Sequence, residues 1–224
     1  MGKPRSPKGR ASVVAERLAD LYPGSTKELC ELVYENPFQL LAATILSAQT
    51  TDARVNMVTP ALFTRFPTPA DLAAANVEEL EELVRSTGFY RNKAKSLIGM
   101  AATLETRFGG EVPAAIEDLI TIPGTGRKTA NVVRSVAMNE PGLPVDTHVL
   151  RLSKRLGLVS PELGGDAVKV EHALGELMKP ADRGVFSLRL ILHGRRVCDA
   201  KKPKCAECSL QDVCPSAPDG NYAA

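Results

Sequence analysis

The sequence has no tryptophan, and aromatic residues make up only 4% of its 224 positions. That scarcity speaks against single-strand binding by rows of stacking rings. No unbroken apolar run reaches about 18 residues, which excludes a membrane-spanning helix. Internal repeats, low-complexity segments and the compositional bias of disordered or collagen-like chains are also absent. The N-terminus has no apolar stretch of the secretory kind, so the chain is expected to be cytoplasmic (nucleoid-associated if bacterial) and not secreted. Its thiols are then reduced rather than paired. A loose myristoylation pattern at Met1–Ser6 has no second signal beside it and is not taken as an anchor.

What is present is a 44% apolar chain, long enough to bury roughly 70% of its unfolded surface without staples. The 28 Lys+Arg nearly balance 26 Asp+Glu, but they are not evenly spread. Lys3, Arg5, Lys8 and Arg10 make residues 1–10 look like a flexible basic tail. Arg189, Arg195, Arg196, Lys201, Lys202 and Lys204 face only Asp199 over residues 185–204. Acids gather instead at Glu78, Glu79, Glu81 and Glu82. One basic face and one acidic face suit a polyanionic partner; chance clustering on a solvated surface would give the same pattern.

The apolar periodicity is helical almost throughout, and no segment alternates at period two. Helices are predicted over about 12–21, from Asn36-Pro37 onward, 52–66, 68–74, 76–85, 91–108, 113–120, to about Met138, 147–157, 166–178 and 182–197. The fold class is therefore all-α. Pro141-Gly142-Leu143-Pro144 is the strongest punctuation for a domain boundary.

Residues 119–133 read as two helices meeting at Pro123-Gly124-Thr125-Gly126. Gly124 and Gly126 permit positive φ and close approach, and the turn ends at a helix N-terminus whose free N–H groups suit a phosphate. Such a contact holds a nucleic-acid backbone without reading its sequence. Arg127 and Lys128 fall in the first turn of the following helix. A lysine amine there is a candidate Schiff-base nucleophile, although spacing alone favours a phosphate-binding or solvated side chain. Asp146 precedes another helix and reads as its N-cap, or as a carboxylate serving Lys128. His148 and His193 read as structural hydrogen-bonding residues. In Ser47-Ala48-Gln49-Thr50-Thr51-Asp52, Thr51 or Asp52 caps a helix, and Gln49 is free to project toward a ligand.

Cys198, Cys205, Cys208 and Cys214 form C-x6-C-x2-C-x5-C, the strongest single signal in the chain. Four thiolates imply a metal centre, either zinc or iron–sulfur; the generic spacing leans slightly to zinc. The lysines between the first two cysteines would then be fixed for phosphates. Cys30 stands apart and is expected to be a buried apolar residue.

Taken together, LSAQTTD (46–52), GFYRNKA (88–94), IPGTGRKTANVV (122–133), PVDTHVLRL (144–152), LILHGR (190–195) and the four-cysteine loop resemble the endonuclease III family of base-excision repair glycosylases. The resemblance runs over about residues 12–215. It implies two helical domains flanking a DNA-binding cleft: a six-helix barrel at 30–140 with a helix-hairpin-helix at about 114–138, and an iron–sulfur domain from 1–29 plus 141–224 with its cluster loop at 198–214. It implies a [4Fe–4S] cluster on the four cysteines, against the generic lean to zinc. It further implies removal of oxidised pyrimidines such as thymine glycol, then cleavage of the abasic site by β-elimination. By motif, Lys128 falls on the nucleophile and Asp146 on the essential carboxylate. Gln49 looks like the residue that fills the vacated stack. Phe89 stands where the family usually has a smaller aliphatic wedge, and Thr125 replaces a common valine. Gly124, Gly126, Arg127, Lys202 and Lys204 are expected on the DNA backbone. The expected partner is damaged double-stranded DNA, with no membrane and no nucleotide cofactor, and the chain is expected to act as a monomer. A glycosylase without lyase activity, a non-catalytic duplex-binding module and a redox-sensing DNA binder are the competing readings, and Lys128 argues for the lyase.

Overall fold

The computed structural model describes residue 4, residues 6–163 and residues 165–218. Lys3, Arg5 and the Met1–Gly2 pattern lie outside the described residues. Twelve α-helices are present among those described: α1 (Pro7–Leu21), α2 (Thr26–Leu29), α3 (Pro37–Leu46), α4 (Asp52–Arg65), α5 (Pro69–Ala73), α6 (Val77–Val84), α7 (Tyr90–Phe108), α8 (Ile116–Leu119), α9 (Arg127–Ala137), α10 (Thr147–Arg155), α11 (Ala167–Gly175) and α12 (Arg183–Arg196). No helix is long and apolar enough to cross a membrane.

The chain divides into two compact units, Met1–Leu29 with Pro141–Ala224, and Cys30–Glu140. Local chemistry starts most of the helices. The side chains of Asn36, Thr51 and Asn76 accept from the backbone of α3, α4 and α6, and Thr68 with Asp71 forms a reciprocal capping box on α5. The end of α7 is a glycine, Gly109, in the left-handed region at φ 62°.

In the Cys30–Glu140 unit, α3 is the central element. Every residue from Phe38 to Leu46 is buried, so this helix is apolar on all sides and must be surrounded. It packs against α4, α7 and α9, while α7 also packs on α5 and α6. Leu40, Leu41, Leu62, Leu97, Leu104 and Val133 have no exposure, and each such side chain contributes about 1.5–3 kcal/mol by burial. In the other unit α12 packs against α1, α2 and α10, over a core containing Val14, Leu18, Leu152 and Leu190.

Three expectations are corrected. Lys8 and Arg10 are not in a flexible tail: Ser6 caps α1, Pro7 opens it, and Arg10 donates to the Gly157 carbonyl at 2.6 Å. The helix expected at 113–120 is only Ile116–Leu119, because Ala115 is extended and offers no capping side chain. Cys30 is half-buried rather than a core residue, since it follows the short α2 at the edge of its unit.

Candidate functional site

The hairpin joins α8 to α9 and is fixed by the two helices it lies on. A Cβ on Gly124 would meet Ser96 Cβ of α7 at 2.8 Å and Ile45 Cδ1 of α3 at 3.3 Å, and Gly124 adopts φ 79°. Glycine is required there on both counts. Pro123 packs over Gly99 of α7, where an added Cβ would sit at 3.1 Å. Gly126 differs. Its φ is −85°, and nothing lies within 4 Å of where a Cβ would be. Its bareness serves no internal packing; it leaves the N-terminus of α9 open from outside. No side chain caps that terminus and no acid lies in its first turn. Free N–H groups and the positive dipole end therefore face outward, the arrangement that binds a phosphate. Arg127 and Lys128 extend from this turn. Lys128 is exposed, and its amine makes no hydrogen bond or ion pair among the described residues.

Thr125 is 6% exposed, and its hydroxyl oxygen has no hydrogen-bond partner. Its side chain points inward, so the outward-facing amides do not depend on it.

Gln49 and Phe89 share an uncommon backbone. Their φ values are 56° and 50°, and only Asn139 joins them as a non-glycine residue at positive φ among those described. For a ring as bulky as Phe this is an outlier, costing of order 1–3 kcal/mol, which concentrates at functional sites. Both side chains are exposed, Phe89 by 65%. Gln49 leaves directly from the end of the buried α3, the same helix that supports the hairpin through Ile45. Thr51, not Asp52, caps α4, accepting from Arg54 N–H at 3.2 Å.

Asp146 lies in the other unit. It is the N-cap of α10, and Oδ1 takes both N–H groups, His148 at 2.8 Å and Val149 at 2.9 Å. Oδ2 accepts no hydrogen bond among the described residues. One oxygen thus fixes the carboxylate and the other stays available. His148 Nδ1 is 3.0 Å from Arg151 Nη2, a structural contact of the expected kind.

Cys198, Cys205, Cys208 and Cys214 line one cavity of about 170 Å3. Leu152, Leu156, Val197 and Ala217 form its apolar wall. The loop is anchored beneath by buried Leu210 and Val213, and from the side by Arg17, which pairs with Asp212 and donates to the Ser209 carbonyl at 2.8 Å. Four thiols lining one cavity are the donor set that either a zinc ion or an iron–sulfur cluster takes. The thiol chemistry agrees. Burial pushes the Cys208 and Cys214 thiols up, and the neighbouring cysteines add to this, so a cationic centre is needed to hold them all as thiolates.

Sequence reasoning missed the groups around these sulfurs. Arg155 reaches Cys198 Sγ at 3.3 Å and the Asp199 and Ala200 carbonyls at 2.7 and 2.8 Å. Arg151 donates to the Cys198 carbonyl at 3.0 Å. His193, 1% exposed, has Nε2 at 3.3 Å from Cys208 Sγ and Nδ1 at 3.4 Å from the Tyr22 hydroxyl. Burial lowers the His193 pKa to about 4, so the ring is neutral and offers one N–H. The signal available was the i, i+4 arginine pair on α10. Lys202 and Lys204 are exposed on the same loop, with Lys204 Nζ at 3.2 Å from the Arg196 carbonyl.

Residues 42–180 match the family described as HhH-GPD superfamily base excision DNA repair protein, and residues 198–214 match the iron-sulfur binding domain of endonuclease III. A protein named Endonuclease III from Synechocystis sp. is 50% identical over 216 residues, covering 96% of each chain. A solved non-covalent Endonuclease III–DNA complex is similar at a TM-score of 0.85 and 42% identity, over 93% of this chain and 95% of that one. A trapped Endonuclease III–DNA covalent intermediate is similar at the same TM-score and identity, over 93% and 96%.

Proposed function

The chain belongs to the endonuclease III family of the HhH-GPD superfamily, and from that membership we propose that Lys128 and Asp146 carry its chemistry on damaged duplex DNA. The enzyme is a bifunctional base-excision repair glycosylase and abasic-site lyase that removes oxidised pyrimidines such as thymine glycol, and it has a [4Fe–4S] cluster. We assign the cluster ligands to Cys198, Cys205, Cys208 and Cys214. When bound, the cluster cross-links the loop through Fe–S bonds and counters the charge of the thiolates. The protein acts as a monomer in the cytoplasm, on the DNA itself.

The observation that carries the assignment is an exposed Lys128 in the first turn of α9, behind an N-terminus that no side chain caps. In this reading the amides of Gly124 and Gly126, with the first turn of α9, hold a phosphodiester, and binding at that point presents the sugar to the lysine. A damaged base is stacked and must be extruded; damage lowers that cost. Phe89 and Gln49 enter the stack as the base leaves it. The Lys128 amine then bonds to C1′ while the C1′–N bond breaks and the base departs with the electron pair. Asp146, held at Oδ1, stabilises positive charge on the sugar through Oδ2 and accepts the proton that the amine sheds. The sugar ring opens to an imine on Lys128. The imine acidifies the C2′ proton; its removal drives out the 3′ phosphate, and water finally releases the lysine.

Borohydride trapping on a duplex with one thymine glycol tests this. Wild type should give a covalent protein–DNA band and Lys128→Ala none. Free base without a band in wild type would mean a glycosylase with no imine chemistry and would remove Lys128 from its role.

A further inference from the structure

Behind the loop that carries Phe89 stands a lysine with no part in base removal. Lys93, in the first turn of α7, is 5% exposed. An ammonium is among the costliest groups to bury, and the helix dipole disfavours a cation at this end. Among the described residues its Nζ makes one hydrogen bond, to the Thr87 carbonyl at 2.8 Å. Its own amide N–H donates to the Phe89 carbonyl at 3.1 Å. The Lys93 side chain therefore holds the residue before Gly88, while the first backbone bond of α7 holds the one after it. The unusual backbone is here: Gly88 at φ 71° and Phe89 at φ 50°. Thr87 is itself fixed, 2% exposed with its hydroxyl on the Val84 carbonyl at 2.7 Å. No side chain caps α7. A methionine would fill the same space without desolvating a charge, so packing does not account for the lysine.

We propose that Lys93 is a positioning residue, whose ammonium, by holding the Thr87 carbonyl, fixes the turn that keeps the Phe89 ring aimed outward for insertion into the duplex. This rests on the reading of Phe89 as a residue that enters the DNA.

The test uses a duplex with a tetrahydrofuran abasic analogue opposite 2-aminopurine, whose fluorescence rises on unstacking and needs no cleavage. Wild type, Phe89→Ala, Lys93→Met and the double variant are compared, each saturated with DNA, with melting temperature and affinity for undamaged duplex measured alongside. Phe89→Ala and Lys93→Met should each lose most of the fluorescence gain that wild type gives on binding. The double variant should be no worse than Phe89→Ala, and Lys93→Met should keep the wild-type affinity for undamaged duplex. A full gain in Lys93→Met beside a lost gain in Phe89→Ala overturns the proposal and leaves the wedge reading intact. A full gain in Phe89→Ala overturns the wedge reading and the proposal with it. Falls in melting temperature and undamaged-duplex affinity, with the gain per bound complex unchanged, show a merely structural lysine and also overturn it. Lys93→Gln, whose end is too short to reach the Thr87 carbonyl, is read by the same criteria where Lys93→Met does not fold.

Discussion

Thr125 carries a hydroxyl that the fold has desolvated without repayment. A buried polar atom left unpaired costs about 1–3 kcal/mol, and valine has nearly the same shape. Thr125→Val should therefore raise the urea midpoint at unchanged slope, and duplex affinity should stay constant if, as proposed, backbone amides make the phosphate contact. A lowered midpoint would mean the hydroxyl has a partner in solution. Lys93 allows a second residue-level expectation. Burial depresses its folded pKa below the ordinary 10.5 of the unfolded chain. Between those two values the unfolded chain binds the proton more tightly, so stability falls as pH drops through that window; above the unfolded pKa the loss vanishes. Wild type should accordingly gain stability relative to Lys93→Met as pH is raised toward 10.5. A difference independent of pH would show that the ammonium is well solvated.

At the level of elements, the two hairpin glycines should separate packing from recognition. Gly124→Ala brings a Cβ against Ser96 and strains a positive φ, a combined cost of about 2–4 kcal/mol. Gly126→Ala meets nothing inside the protein, so its stability should change by less than about 1 kcal/mol while duplex affinity falls. Loss of affinity without loss of stability at Gly124, or the reverse at Gly126, would exchange their roles. The starts of α3, α4, α5 and α6 were legible because a capping side chain acts on backbone only three residues away. The true start of α1 was masked by surrounding charge, although Ser6-Pro7 is a start signal of the same local kind. Phe89 as a left-handed N-cap was illegible, because no propensity puts that ring at positive φ. Lys128, Asp146 and the cysteines could be read from motif. The arginine contacts to the cysteine loop could not, since Arg151 and Cys198 are 47 residues apart in sequence.

Across the whole molecule, a net charge of +2 conceals a basic loop on which Lys201, Lys202 and Lys204 are all exposed. If two of these touch phosphates, neutralising Lys202 and Lys204 together should flatten the salt dependence of duplex binding by about two units of slope. An unchanged slope would take the loop off the DNA. The unit that contains this loop is assembled from both ends of the chain, with α1 and α2 packing on α12. That discontinuity orders events on the ribosome. Cys30–Glu140 is complete, and free to fold, before α12 has been made. Helix α1 is translated well before α12 and must wait for it. The four cysteines follow even α12, so if they hold the cluster as proposed, iron can be loaded only after helices α1 to α12 have been made.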